Sequence, residues 1–502
     1  MRWPAALLVL MMTTMPDTAY ALSPCDQTAR EDADAAFGFE AFIRYNTPVR
    51  DQKYAESIKV AFVDPEDDFG PYVSQDTPNI IRVPRGFVRL SCQLTLVAIT
   101  TIGMPDRAGA TRDMDDCLDR RVGVVACLHQ VLPRYLPAAE RSYTALNRGA
   151  QQSVGHMARG AMEFLLLHEF AHIVGNHFSK LQVSSDPDLE REFELEADVY
   201  AVRYITLAHG AGNTGGMFFT LLSSKPRVDQ LERSTHDSFY CRYENIANII
   251  ALTDLIPGYL VIFPQDRFVA TLPDREAVLA RRRAVLHQIA SGKAPFQMEV
   301  SFSPECRVQA LPGLAGMRRD FMKLAKFQDG VADTLPGPQD GTAVARIMAR
   351  LVDLPMESAD GRAAKMRLLS GYADSYRSTW SNGAVTAQIA RAVAHPDRLD
   401  ARLYDVSVLR RELALRRFYF PPGGAWSDGE LDLLFDELLD ALYASGVDPE
   451  GIAALVRISL RRRNCSRAQV LIEGGFPSDG TVDFDPALLA TLKKEVAVAG
   501  CR

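Results

Sequence analysis

Two histidines and a glutamate offer the first chemistry: His168-Glu169-Phe170-Ala171-His172 reads H-E-x-x-H inside the apolar run Glu163 to Val174. Histidines four apart lie about 40° from each other around a 3.6-residue helix, so both imidazoles can reach one Zn2+ while the glutamate faces the open side of the ion. For a chain with 9 His among 502 residues, chance supplies on the order of 0.01 such motifs. A helix that buried this glutamate between two imidazoles without a metal would carry a large desolvation cost. His177 falls about 180° around the same helix from His168, so packing or capping of the helix end is expected of it rather than ligation.

A third ligand has to come from a second helix. Asp186-Pro187 has the form of an N-cap followed by proline at the first helical position, and Gly210 that of a stop, which predicts a helix from Pro187 to Ala208. It carries three candidate carboxylates, Glu192, Glu194 and Glu196. Glu194 shares a face with Asp198, Ala201 and Ile205, whereas Glu192 and Glu196 fall on another face with Arg203. Glu194 is therefore the expected ligand, Glu192 and Glu196 the expected solvated pair, and Asp198 the expected acceptor for the second ring N–H of a ligand histidine. Such a set suits zinc-assisted amide hydrolysis, with one Zn2+ per chain on His168, His172 and Glu194 and with Glu169 as general base. A donor to the oxyanion is also needed, for which His236, Tyr200, Tyr204 and Arg242 are candidates.

The elements that must position these residues are mostly helical. Glu31 to Tyr45 reads as a helix, Ser57 to Asp64 and Asn79 to Leu90 as two strands around a polar turn region, and the apolar spacing turns helical from Val124 onward. Helices are expected over Pro137 to Leu146, Gln152 to Phe178, Pro187 to Ala208 and Tyr243 to Leu255, then over most of the chain to Arg502, with a break at Gln328 to Thr342. The fold class expected is mainly α with a small β-sheet, that is α+β. A polypeptide substrate could add as a strand to the edge at Asn79 to Pro84. Ile246 to Phe263 is interrupted by Asn248, Asp254, Pro257 and Gly258, so no stable transmembrane anchor is expected.

Lys and Arg total 56 against 63 for Asp and Glu, and a net charge of -7 argues against a nucleic-acid partner. Arg2, the apolar Ala5 to Met15 and Ala19-Tyr20-Ala21 form a signal-peptide pattern over residues 1–21, which predicts an exported protein, periplasmic or secreted. Pro24 before Cys25 fits a lipobox poorly. The eight cysteines contain no C-x-x-C pair, and in an oxidising compartment they are expected to form disulfides; Cys117 with Cys127 and Cys465 with Cys501 close short loops.

The chain resembles the gluzincin metallopeptidases, and within them the HtpX-like or CAAX-prenyl-protease-like family, whose pattern is H-E-x-x-H followed by E-x-x-A-D. These read here as His168-Glu169-Phe170-Ala171-His172 and Glu194-Leu195-Glu196-Ala197-Asp198. More weakly, Ile80 to Val83 resembles the strand before the active helix, and Ser234-Thr235-His236 the family's S-T-H-P stretch, with Asp237 where proline is usual. The likeness covers roughly residues 55–260; the short gap from His172 to Glu194, the cysteine-bearing insertion around Cys92 to Cys127 and the absence of the family's transmembrane helices depart from it. It implies a zincin-like metallopeptidase core at 22–265 and puts His236 first among the oxyanion candidates; the helical spacing beyond it and the break at Gln328 to Thr342 predict a helical connector at 266–330 and a helical C-terminal domain at 331–502. The function it implies is an exported zinc endopeptidase acting on polypeptides, of a kind that serves envelope protein quality control. The alternatives are a zinc hydrolase of a cell-wall peptide or other amide, and a non-catalytic zinc-containing chaperone, for which the intact Glu169 would have no use.

Overall fold

Residues 25, 32–64, 70–74, 76–100, 109–110, 112–114, 116–117, 120, 124–146, 148–181, 186–209, 242, 314–332, 340–394, 400–421, 423–446, 448–473 and 484–501 are described by a computed structural model. They are mainly helical, with one small mixed sheet, as the α+β expectation had it.

Helix α1 (Asp32–Asn46) leads through a one-turn helix at Gln52–Ala55 into β1 (Lys59–Val63), β2 (Tyr72–Ser74) and β3 (Thr77–Pro84). The strand order is β1-β3-β2. β3 runs parallel to β1, with Lys59 opposite Ile80 and Val63 opposite Pro84, and antiparallel to β2, with Tyr72 opposite Arg82. Two expectations are corrected by this sheet. It has three strands, because Tyr72–Ser74 pairs within what reads as a turn region. And the edge expected at Asn79 to Pro84 is occupied on both sides, so β1 and β2 form the edges.

The expected strand to Leu90 also stops at Pro84, which has no N–H to continue a ladder. From there α2 (Arg85–Thr100) buries Phe87, Val88, Leu90, Leu94 and Val97, a spacing of three and four that belongs to a helix and not to a strand. Helices α3 (Val124–Thr144), α4 (Arg148–Val174), α5 (His177–Leu181) and α6 (Pro187–His209) follow. α4 packs on α2 and α6 and touches β3. Its Phe164, Leu166, Leu167 and Phe170 are fully buried, each contributing about 1.5–3 kcal/mol by removal from water. Glu163, buried on the same helix, is held by Arg159 at 2.8 Å.

The helix expected without interruption to Phe178 is divided. α4 ends where Gly175 N–H bonds Ala171 O at 2.8 Å, and Asn176 adopts a left-handed φ of 52° before α5 begins. Asn is the residue after Gly that tolerates this conformation best.

Beyond these come α7 (Leu314–Ala332), α8 (Gly341–Asp353), α9 (Ala359–Ser375), α10 (Gly383–Val393), α11 (Leu403–Tyr419), α12 (Asp428–Ser445), α13 (Pro449–Arg461), α14 (Cys465–Ile472) and α15 (Pro486–Val498). One apolar core runs from Cys25 through the sheet and α1–α6 to Leu409 on α11; a second runs from Ala414 on α11 to Cys501. The connection after α1 is stitched to the start of α11: Val49 N–H bonds Ala401 O at 3.0 Å, Leu403 N–H bonds Thr47 O at 3.1 Å, and Arg50 pairs with Asp400. Disulfides join Cys25 to Cys92, Cys117 to Cys127 and Cys465 to Cys501. The last two are the short loops expected; the first occupies the cysteine that a lipid anchor would have needed. No described helix is long and apolar enough to cross a membrane, and Ile246 to Phe263, like residues 1–21 and Tyr243 to Leu255, lies outside the described residues.

Candidate metal centre

The capped start expected for α6 is present: Asp186 accepts from Asp188 N–H at 2.9 Å through its side chain and from Glu190 N–H at 3.1 Å through its carbonyl. With α6 laid against α4 and the small Ala197 and Ala201 fully buried on it, three side chains meet. The Nε2 atoms of His168 and His172 stand 3.2 Å apart, and Glu194 brings Oε2 to 3.2 Å from the first and Oε1 to 3.4 Å from the second. These three form a group that can hold a metal ion. Ligands on a tetrahedral Zn2+ with bonds of about 2.0–2.1 Å are about 3.3–3.4 Å from one another. The two imidazole nitrogens, and each of them with its nearer Glu194 oxygen, stand at the separation such an ion's ligands need.

His168 is aimed from behind. His168 turns Nδ1 to Asp198 Oδ1 at 2.9 Å, which leaves Nε2 for the centre. Asp198 is buried and is gripped in turn by Arg242, whose Nε and Nη2 donate at 2.8 and 2.7 Å. Arg242 Nη2 also lies 3.9 Å from Glu194 Oε2. Burial opposes the charge on Asp198, but Arg242 and His168 outweigh it and keep the carboxylate below its ordinary range. Glu194 is held lower for the same reason, with His168 as its main partner. His172 moves the other way: burial, then the neighbouring His168, pushes it down to about 3, so it presents a neutral lone pair.

Glu169 sits beside the three. Burial is the largest influence on its carboxyl and pushes it up to about 7, against the pull of His168, Arg242 and a hydrogen bond from the backbone of Val73. That bond ties the candidate base to the edge strand β2. A carboxylate poised near neutrality in such a place can take up and return a proton.

The remaining expected residues divide. Tyr200 donates to Asp51 at 3.1 Å and Tyr204 is buried beside it, so both belong to a polar cluster at the α1 end of α6 and not to the metal-ligating group. Arg242 is committed to Asp198. His236 lies outside the described residues. His177 is not on the far face of α4, because the turn at Gly175 and Asn176 swings it back: its Nδ1 is 3.0 Å from His172 Nδ1 and its Nε2 is 3.2 Å from Glu196 Oε2. Glu196, expected to be simply solvated, is thus in contact with the centre through His177. The Gly-Asn pair is a helix-stop signal in the sequence and could have revealed this; nothing in the sequence singles out Arg242 as the anchor of Asp198.

No curated protein and no solved structure matches the chain. The family description that does match is Peptidase U49, which does not carry the HtpX-like or CAAX-prenyl-protease-like name. The match covers residues 98–254, the stretch that bears His168, Glu169, His172, Glu194, Asp198 and Arg242, and it supports a peptidase.

Proposed function

We propose that the protein is an exported zinc-dependent endopeptidase of polypeptides, in which His168, His172 and Glu194 hold one Zn2+ and Glu169 is the general base. The observation that carries this reading is the convergence of three candidate ligand side chains with donor contacts of 3.2–3.4 Å, the two histidines with their Nδ1 atoms turned away to polar partners, beside a carboxyl near neutrality. The family match to a peptidase supports the reaction class. When bound, the ion supplies a Lewis acid that acidifies water and polarises a carbonyl.

The rest falls to the chain's own residues. Glu169 accepts a proton from the attacking water on its carboxylate and delivers it to the departing amine, so that the amide closes as carboxylic acid and free amine with the glutamate restored. Asp198 and Arg242 hold His168, and the Val73 backbone fixes the carboxylate that moves the proton. The E-x-x-A-D motif supports a finer likeness to HtpX-like and CAAX-prenyl-protease-like enzymes. Export is supported by the N-terminal pattern and by three disulfides, which persist in oxidising compartments.

Metal analysis of the purified protein, beside casein cleavage with and without a chelator, tests the reading. Glu169→Gln should keep zinc near one per chain and lose activity by about 10²–10⁴-fold. Full turnover in that variant with zinc bound would place the base elsewhere; a protein that binds no zinc would remove the metal from the reading.

A further inference from the structure

We propose that His177 and Glu196 form an orienting relay for His172, fixing the tautomer and ring angle that present its Nε2 to the metal centre. The inference rests on the metal reading above and concerns two residues that neither motif specifies: His177 follows the first, and Glu196 fills an open position of the second.

The geometry allows one arrangement of protons. If Nε2 of His172 is to ligate, its Nδ1 must carry the hydrogen, and the only way for two facing Nδ1 atoms at 3.0 Å to bond is for His177 Nδ1 to accept. The hydrogen of His177 then sits on Nε2, where Glu196 Oε2 accepts it at 3.2 Å. The chain ends in a carboxylate, as the His168 side ends in Asp198, and the hydrogen bond from His177, as its main influence, holds Glu196 below the usual carboxylate range. So α6 supplies the ligand Glu194 and, within four residues, the terminal acceptors of both histidine relays.

Three further features hold the His177 ring in place. It is buried and stacks face to face on Phe193, with centroids 4.3 Å apart and planes 8° from parallel. It meets His172 edge-on at 5.0 Å. And it lies over Gly175: a Cβ at that position would come within 2.1 Å of His177 Nε2, so only glycine leaves room for the ring where it is. The glycine therefore serves the position of the imidazole as well as the turn.

The alternative is that His177 merely fills space against Phe193, and the variants are chosen to separate the two. His177→Phe keeps the ring and its stacking but cannot accept or donate. His177→Asn loses the stacking but places an acceptor near the Nδ1 position. Zinc affinity of the metal-free full-length protein, measured by competition with a chromophoric chelator, should fall about 10–100-fold in His177→Phe, and His177→Asn should recover most of that loss. Gly175→Ala, with His177 retained but displaced, should reproduce the loss. Glu196→Ala, at a half-exposed position, should give a smaller loss in the same direction. In the Co2+-substituted protein, the visible absorption bands should shift in His177→Phe and return toward wild type in His177→Asn.

Wild-type affinity with an unchanged cobalt spectrum in His177→Phe would overturn the relay. Should that variant fail to fold, wild-type affinity in both Gly175→Ala and Glu196→Ala would overturn it equally. A wild-type protein without zinc affinity is recognised before any variant is made, and it would end the metal reading on which the relay rests.

Discussion

His168 carries the clearest pH signature of the centre. Burial opposes its charge, but Asp198 and Glu194 outweigh that and push it from 6.5 up to about 10 in the metal-free protein. A histidine raised in this way stabilises the metal-free fold fully below about 6.5, and the contribution is lost as pH rises through about 10. The same proton competes with the ion. Zinc binding should therefore release about one proton at pH 8, and the apparent affinity should rise about tenfold per pH unit between 7 and 9. Calorimetry in buffers of different ionisation heat reads the proton directly; an affinity flat across that range would show that His168 is already neutral. At this scale the sequence was informative where chemistry fixes spacing. Histidines four positions apart, and Glu194 with Asp198 on one face of a helix, are consequences of helix geometry that any reader can apply. Arg242 and Val73 were illegible as partners because each reaches the site through a tertiary contact that periodicity does not encode, whereas for His177 the Gly175-Asn176 stop was a signal that helix periodicity alone overrides.

Helix α6 joins the centre to the C-terminal half. Glu194 and Asp198 lie toward one end, and toward the other Arg203 forms a salt bridge with Asp360 on α9. Asp360 is buried and Arg203 largely so, and although burial opposes its charge, Asp360 raises the guanidinium further. Removing one partner of such a pair leaves a charge without its counterion, so Asp360→Asn should lower stability by about 3–5 kcal/mol. Glu357→Gln, which removes the exposed partner of Arg319 and Lys323, should leave stability nearly unchanged. Urea melts of the two variants compare them, and equal losses would contradict the distinction. The elements themselves were legible where one periodicity lasted: α1 and α6 fall within a residue or so of their expected bounds. The sheet was not, since β2 has three residues, too few for any alternation to register, and α2 opens in a run that reads equally as strand.

Across the whole molecule, the disulfides and the cores set how the chain comes apart. Cys25–Cys92 spans 67 residues and ties the start of the described chain to α2, and Cys465–Cys501 closes α14 and α15. Oxidised protein should show no reactive thiol at the six described cysteines under denaturing conditions, and reduction should lower its melting temperature, at about 2–4 kcal/mol per bridge. Titration of more than two of the eight cysteines without reductant would refute this. The fold class was legible here because long helices dominate composition and spacing; the division between cores was not, because it falls inside a helix. Val406 and Leu409 of α11 belong to the first core, and Ala414, Leu415 and Phe418 of the same helix to the second. An unbroken rod of backbone hydrogen bonds shared in this way makes melting cooperative: neither core can lose its share of α11 without fraying the other's. Calorimetry should give one transition with equal calorimetric and van't Hoff enthalpies, and Leu413→Pro, which interrupts the rod between the two sets, should split it into two.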